Sequence, residues 1–337
     1  MSLPFGIKPP SKGMTIFVGI VGSIGGILYR DRVKAAEARE SLAVRVRHLA
    51  EEPLGPRELP RKVIVYLSAP PGDGIDKSRL WFREYVKPIL VSSALDYEVK
   101  EGRTPGKIQS MIFEQILQRR KVAAGLAPDP STASGFAPLV PPRSELEGIV
   151  CVGRQAWREV LNGLDEGCRA SLVDEVGEVK VGSTFSGEEV KSTTESDDST
   201  KEKDLLAASK PPVPEKPATP TPPPAPTQYT PTSDENFTLP PSFANIGYVP
   251  HHNLVGWGKV PQRLYLWVND YIRVQQVGER VVHIVLGKTR AFRAGQDEEI
   301  GADERALWIT DVGKQEAERD RVVLDGKIAE RLEVYTE

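Results

Sequence analysis

The sequence predicts an α/β protein: a single N-terminal transmembrane helix followed by a doubly wound, mostly parallel sheet, with a disordered linker inserted into the sheet domain. Three observations carry this. Strand-like run, turn and amphipathic helix follow one another three times between residues 60 and 170, the alternation that builds parallel βαβ units. A fourth strand-like run and another helix come only after residue 243, beyond a stretch whose composition cannot support a core. Near the N-terminus stands an apolar run that contains no charge.

That run, Gly13 to Tyr29 (GMTIFVGIVGSIGGILY), follows a tail of residues 1–12 and is bounded by Lys12 and Arg30. As a helix it is roughly 25 Å long against a hydrocarbon layer of roughly 30 Å, and Tyr29 and the aliphatic stems of Lys12 and Arg30 extend its reach. A cleaved secretory signal is the rival reading. The next residues, RDRVKAAEARE, are charged and helix-forming where a signal carries small neutral residues before its cut. Gly22 and Gly26 are four apart, as are Gly19 and Ser23, so ridges of small residues offer a second helix a close approach; Gly-tolerant membrane sequence is the plainer alternative. Lys8 and Lys12 precede the span, whereas Arg30, Arg32, Lys34, Arg39, Arg45 and Arg47 follow it, so a positive-inside count keeps the following domain on the inner side.

Residues 30–52, rich in Ala, Glu, Arg and Leu, continue as a helical stalk that Pro53 stops. The α/β domain begins at about residue 60. Lys62–Leu67 (KVIVYL) is β-branched and apolar, Ser68–Ile75 (SAPPGDGI) is a turn, and a helix runs from Asp76 to Ser93. Leu95–Lys100 (LDYEVK) forms the second strand. Thr104 then reads as an N-cap with Pro105 at the first helical position, Ile108, Met111, Ile112 and Ile116 share one face, and Gly125 ends the helix. After an Ala/Pro-rich loop, Gly148–Val152 (GIVCV) is the continuous apolar run of a strand buried on both faces, and Trp157, Val160, Leu161 and Leu164 mark the next helix.

Residues 171–243 form a disordered acidic and Pro-rich insertion. Between Ser171 and Lys210 ten carboxylates face five lysines with few aromatics, so no core forms. The run PPVPEKPATPTPPPAPTQYTP that follows suits an extended polyproline II spacer, with SH3-type docking as the alternative. Ala244–Val249 (ANIGYV) resumes the sheet, and a helix with Leu264, Trp267, Val268 and Tyr271 on one face completes the continuation at 244–290. Residues 291–337 read as a charged C-terminal tail of mixed helix and loop.

A formal charge of -3, a pI near 6.0 and the absence of basic residues interleaved with aromatics exclude a nucleic-acid partner. Cys151, in a strand-like run, and Cys168, near a helix end, read as packed thiols rather than a disulfide framework. Gly72, Asp73 and Gly74 lie between strand and helix, where backbone amides can face a phosphate. The Lys and Ser/Thr of a Walker A loop and the full dinucleotide spacing are missing, so this is a vestigial phosphate-type turn and no cofactor is expected. The adjacent His251 and His252 diverge and have no partners at ligand spacing, so no metal site is expected. No GxSxG, HExxH or Cys/His pair supplies a catalytic residue.

The block KVIVYLSAPPGDGIDKSRLWFREYVKPILVSSALDYEVKEG, with the anchor before it and IGYVPHHNLVGWGKVP after the linker, resembles the Tim fifty-four family over residues 1 to about 290. This is the large accessory subunit of the fungal mitochondrial carrier translocase. The resemblance implies a single-pass, non-catalytic scaffold of the mitochondrial inner membrane whose domain faces the intermembrane space, opposite to the arginine count. The partners it implies are the channel-forming and other translocase subunits, the small intermembrane-space chaperones that deliver multi-span carrier proteins, and membrane lipid through one span. A fainter resemblance links the strand, Gly-rich turn, helix, strand order to the catalytic domain of diacylglycerol and related lipid kinases. There the third strand leads into GGDGT; here IVCVGRQAWREVLNGL keeps Gly153, Asn162, Gly163 and Leu164 but sets Arg154, Gln155, Ala156 and Trp157 in place of the small and acidic residues. That departure implies the fold without the activity. The alternative is an active acylglycerol-type kinase that also serves in import.

Overall fold

Helix α1 runs unbroken from Lys12 to Glu51, started by Ser11, whose hydroxyl accepts from the Met14 amide at 3.3 Å, and stopped just before Pro53. Residues 12–27 are all exposed, with nothing packed on them among the described residues, but Asp31, Ala35, Ala38, Leu42 and Val46 form a buried stripe at three- and four-residue spacing. The computed structural model describes residues 11–53, 61–128, 147–172, 237–308 and 311–336, all within one compact unit. Most of the expected disordered insertion, residues 173–236, lies outside the described residues.

The stripe on α1 packs against α7 (Asp270–Val285) and α3 (Lys87–Ser92). The two long helices come so close that a Cβ on Gly278 would collide with Leu42 Cδ1. Arg45 pairs with Glu279 at 2.6 Å, and the Tyr271 amide donates to Asp31 Oδ1 at 3.2 Å. Residues 30–51 are helical, in line with the expected stalk, but they pack into the body as a core helix. The small side chains at 35 and 38 and the branched ones at 42 and 46 make a seam that a partner helix fills.

The sheet contains β1 (Lys62–Ser68), β2 (Asp96–Gly102), β3 (Glu147–Val152), β4 (Asn245–Val249), β5 (Thr289–Ala291) and β6 (Glu333–Tyr335) in the order β2-β1-β3-β4-β6-β5. Every pairing is parallel except β5 with β6. Lys62 is in register with Asp96 on one side and residue 147 on the other. The strand period of two sends Val63, Val65 and Leu67 to one face, and Ile64 and Tyr66 to the other. On the first face lie α1, α7 and the helix after β1, which is α2 (Ile75–Trp81), a π turn at Phe82–Val86 and α3. On the second lie α4 (Lys107–Ala123) and α5 (Arg154–Arg169). Helices on both faces make the sheet doubly wound and explain the unalternating apolar strands.

Helices α4 and α5 are in backbone contact because Gly163 and Gly167 present no side chains: a Cβ at 163 would lie 2.7 Å from the Gln109 carbonyl oxygen, and one at 167 would lie 2.8 Å from Ile116 Cβ. The close of α4 agrees with expectation. Gly125, with φ 73°, follows Ala124, and the amides of Gly125 and Leu126 donate back to Val122 and Lys121. Its start does not. Thr104 and Pro105 belong to a turn, and the helix begins at Lys107 after Gly106 (φ 82°), because Glu159 of α5 supplies the cap by accepting from the Ile108 amide at 3.0 Å.

Three further boundaries differ from expectation. The segment 237–243, assigned to the insertion, is packed: Phe237, Leu239 and Phe243 lie against the core, and the Thr238 amide donates to the Cys168 carbonyl at 3.1 Å. The helix expected to carry Leu264, Trp267, Val268 and Tyr271 on one face is two helices, α6 (Val260–Trp267) and α7, separated at Val268–Asn269, and no residue of α6 is buried. Residues 291–337 are no tail. They contribute α8 (Asp311–Glu318), α9 (Gly326–Ala329) and β6, which slots between β4 and β5, and they bury Phe292, Trp308, Ile328 and Leu332.

Candidate functional site

In an open parallel sheet the ligand crevice forms at the carboxyl ends of neighbouring strands whose helices leave to opposite faces. Here those strands are β1 and β3, so the turn at 69–74 and the turn at Gly153 frame the candidate site. A cleft of about 490 Å³ lies over the first turn, bordered by Asp73, Arg103, Gln155 and Glu316. Pro70, Pro71, Gly72 and Asp73 make a tight turn in which the Asp73 amide donates to the Pro70 carbonyl at 3.0 Å, with Pro71 at the second position and Gly72 (φ 79°) at the third. Gly72 is needed for that backbone; Gly74 has φ -86° and open space about it, so no steric constraint fixes it as glycine. A local carboxylate already faces one amide: Asp73 Oδ1 accepts from the Gly74 amide at 2.9 Å, while Asp76, in the first turn of α2, pairs with Arg79 at 2.8 Å. A second anion at the Gly74 amide therefore meets the Asp73 carboxylate already there.

The turn after β3 is sealed. Gly153 (φ 85°, ψ 159°) leads into the 16 residues of α5, and the carboxylate of Glu304 sits on that helix start. Its Oε2 accepts from the Arg154 amide at 2.8 Å, its Oε1 accepts from the His251 amide at 2.7 Å, and the Tyr248 hydroxyl donates to the same oxygen. A buried helix N-terminus with converging backbone amides is the arrangement that elsewhere holds a phosphate. In this chain the anion is the chain's own. Burial pushes the Glu304 carboxyl up to about 7 against the pull of its three donors and of Arg154. His251, buried and edge-on to Trp81 at 5.0 Å, is lowered to about 4, because desolvation penalises its cation.

Beneath Glu304 the first turn of α5 is locked to the C-terminal segment. Arg154 is fully buried, with Nε donating to Asp320 Oδ2 at 2.9 Å and Nη1 donating to the carbonyls of Ile300, at 2.9 Å, and Glu298. Asp320 also pairs with Arg305 and, at 3.8 Å, with Arg158, which reaches Glu316 at 3.1 Å. The Trp157 indole is wholly buried and donates to the Asp297 carbonyl at 3.0 Å. Asn162 accepts from the Val323 amide at 3.0 Å, and Gly163 serves the contact with α4. Arg154, Trp157, Arg158 and Asn162 thus bind the protein's own segments 297–305 and 316–323.

The remaining sequence candidates scatter. Cys151 and Cys168 are free and buried, and desolvation raises both thiols, Cys168 to about 12. His251 and His252 are adjacent, and among the described residues no group of three or more His, Cys, Asp or Glu is placed to hold a metal ion. Gly19, Gly22 and Gly26 have nothing within 4 Å of a built Cβ, and Ser23 Oγ donates to the Gly19 carbonyl at 2.8 Å. The first half of α1 is apolar and long enough to cross a membrane, and its most apolar window has nothing packed on it. Sequence reasoning missed Glu304, Asp320 and Asp297. The one available signal was Arg154, an obligate cation among apolar neighbours that requires a buried acceptor.

Residues 1–335 match the family described as "Inner membrane protein import complex subunit Tim54". The chain belongs to that family. Relatives that carry the name mitochondrial import inner membrane translocase subunit tim54 include those of Aspergillus oryzae, 33% identical over a match covering 85% of this chain and 67% of that one, and Schizosaccharomyces pombe, 36% identical over 47% and 45%. The Candida albicans relative is 26% identical over 98% of this chain and 94% of its own length. The chain spans about two thirds of the Aspergillus relative and less than half of the Schizosaccharomyces one. The Tim54 match extends well past residue 290, the limit of the resemblance legible in the sequence, and takes in the segment that supplies Glu304 and Asp320.

Proposed function

We propose that this chain is a non-catalytic, membrane-anchored scaffold subunit of the mitochondrial inner-membrane carrier translocase. In this reading it supports assembly of the channel and docks the small intermembrane-space chaperones that deliver multi-span carrier proteins. The observation that carries the non-catalytic part is Glu304. A carboxylate held by two backbone amides and a tyrosine occupies the helix start where a phosphoryl group would sit, and Arg154 and Trp157 lie where a lipid kinase of this strand order carries small and acidic residues. The domain is then a degenerate relative of those kinases that keeps the wound sheet for shape.

The anchor supports the rest. The ridge of Gly19, Gly22, Ser23 and Gly26 is free of packed neighbours and suits close contact with channel helices. The continuous α1, docked along α7, transmits the position of the span to the body without a flexible joint. The domain faces the intermembrane space, as the family resemblance implies, and the arginine count after the span sets only a bias against it. Residues 173–236 act as an acidic, Pro-rich spacer dispensable for assembly.

The test is to incubate the purified full chain in lipid with ATP, magnesium and acylglycerols. The expected result is no phosphorylated lipid above a protein-free control. Turnover that Asp73→Ala abolishes would establish the kinase alternative instead.

A further inference from the structure

Helix α6 is an anomaly in an otherwise well-packed body. None of its residues is buried; Leu264, Tyr265 and Trp267 are 56%, 58% and 55% exposed, and Trp257, just before it, is 92% exposed. Its Arg263, Leu264 and Trp267 border an open cleft of about 520 Å³ shared with Trp81 and Tyr85, which no side chain of the described residues fills. An eight-residue helix too short to be stable alone thus lacks a covering surface for its apolar side chains.

The position of its end identifies that surface. Asn269, two residues past α6, accepts from Arg30 Nη2 at 3.1 Å and donates through Nδ2 to the Tyr265 carbonyl at 3.0 Å. The Tyr271 amide donates to Asp31 Oδ1 at 3.2 Å, and Arg273 Nη2 donates to the Leu266 carbonyl at 3.1 Å. Arg30 and Asp31 are the first charges after the apolar run of α1. Because that run is roughly 5 Å short of the hydrocarbon thickness, the headgroup zone is drawn onto Arg30 rather than lying beyond it. The last turn of α6 is thereby fixed at the level of the bilayer surface.

We propose that α6 and the preceding Trp257 form a second, interfacial membrane contact on the domain side of the bilayer that α1 spans. Trp257, Tyr265 and Trp267 occupy the headgroup level, Leu264 enters the upper acyl region, and Arg263 and Lys259 meet lipid phosphates. With α1 this gives the body two attachments, which fix its rotation about the span as well as its height. The proposal rests on the reading of α1 as a membrane span.

The full chain can be tested in proteoliposomes that contain phosphatidylcholine carrying a nitroxide on the upper acyl chain. Of the five tryptophans, Trp81, Trp157 and Trp308 are buried, so quenching by lipid reports Trp257 and Trp267. The expected result is strong quenching of that exposed component, shielding of it from aqueous acrylamide, and loss of the lipid quench in the double variant Trp257→Phe, Trp267→Phe. Leu264→Asp should restore acrylamide access without unfolding, since no α6 side chain is buried. Unquenched, acrylamide-accessible tryptophans in a chain that resists carbonate extraction would overturn the proposal. So would shielding that appears only when other translocase subunits are added, which would assign α6 to a protein partner. Release of the chain by carbonate would instead refute the span on which the proposal rests.

Discussion

The turn after β1 and the turn after β3 are built alike, strand then glycine at positive φ then helix, yet one is open and the other is plugged. At the first, Gly72 and Asp73 are exposed, and apart from local bonds Asp73 only accepts, among the described residues, from Asn253 Nδ2 at 3.3 Å. At the second, Glu304 crosses 150 residues of sequence to cap α5, and Arg154 anchors the segment that carries it. The difference teaches that a phosphate-type geometry is a property of backbone, whereas availability to a ligand depends on what the rest of the chain places over it. A fold can retain the first and lose the second.

The contrast should break most severely at Arg154. Arg154→Ala leaves the Asp320 carboxylate buried beside a void and should cost about 3–5 kcal/mol, read by urea unfolding of the chain in detergent. Glu304→Ala orphans two buried amides and the Tyr248 hydroxyl and should cost about 3 kcal/mol in the same assay.

The pH dependence sharpens the comparison. Glu304 is raised from 4.5 to about 7, so alone it makes stability fall as pH rises through that range. His251 is lowered from 6.5 to about 4, so alone it makes stability rise as pH climbs from 4 to 6.5. Between about 4.5 and 6.5 each state of the pair holds one proton, on Glu304 when folded and on His251 when unfolded, and the two slopes cancel. Thermal melts should therefore show Glu304→Gln unmasking a rise in melting temperature with pH, and His251→Phe unmasking a fall.

Smaller effects complete the series. Gly163→Ala forces α4 and α5 apart at the Gln109 carbonyl and should cost about 1–3 kcal/mol. Asp73→Ala, at the open turn, should change stability by less than about 0.5 kcal/mol.

Legibility in the sequence followed the same division. Strands β1, β3 and β4 were readable because each is a largely apolar or β-branched run, β2 because Leu95, Tyr97 and Val99 alternate with charged residues, and α4 and α5 because their apolar faces repeat at helical spacing. Strands β5 and β6, at three residues each, carry no period; β6 lies in the apparent tail and β5 at its border. The docking of residues 30–52 was present as the spacing of Ala35, Ala38, Leu42 and Val46, but alanines mark a seam weakly beside so many charges. The cap on α4 was misread because Thr104 is a local candidate and Glu159 a distant one. Nothing local could have revealed Glu304, whose partners Arg154, Tyr248 and His251 are more than fifty residues away.

The scaffold reading meets its most direct test in the assembled translocase, purified through a tagged channel subunit. One chain carries Asp73→Ala with Arg103→Ala, which empties the open crevice of its exposed charges; another carries Leu42→Asp, which breaks the seam between α1 and α7. The account predicts that the crevice variant assembles and inserts carrier proteins like the wild type, while the seam variant fails to assemble. An intact complex that contains the crevice variant yet no longer inserts carriers would contradict it.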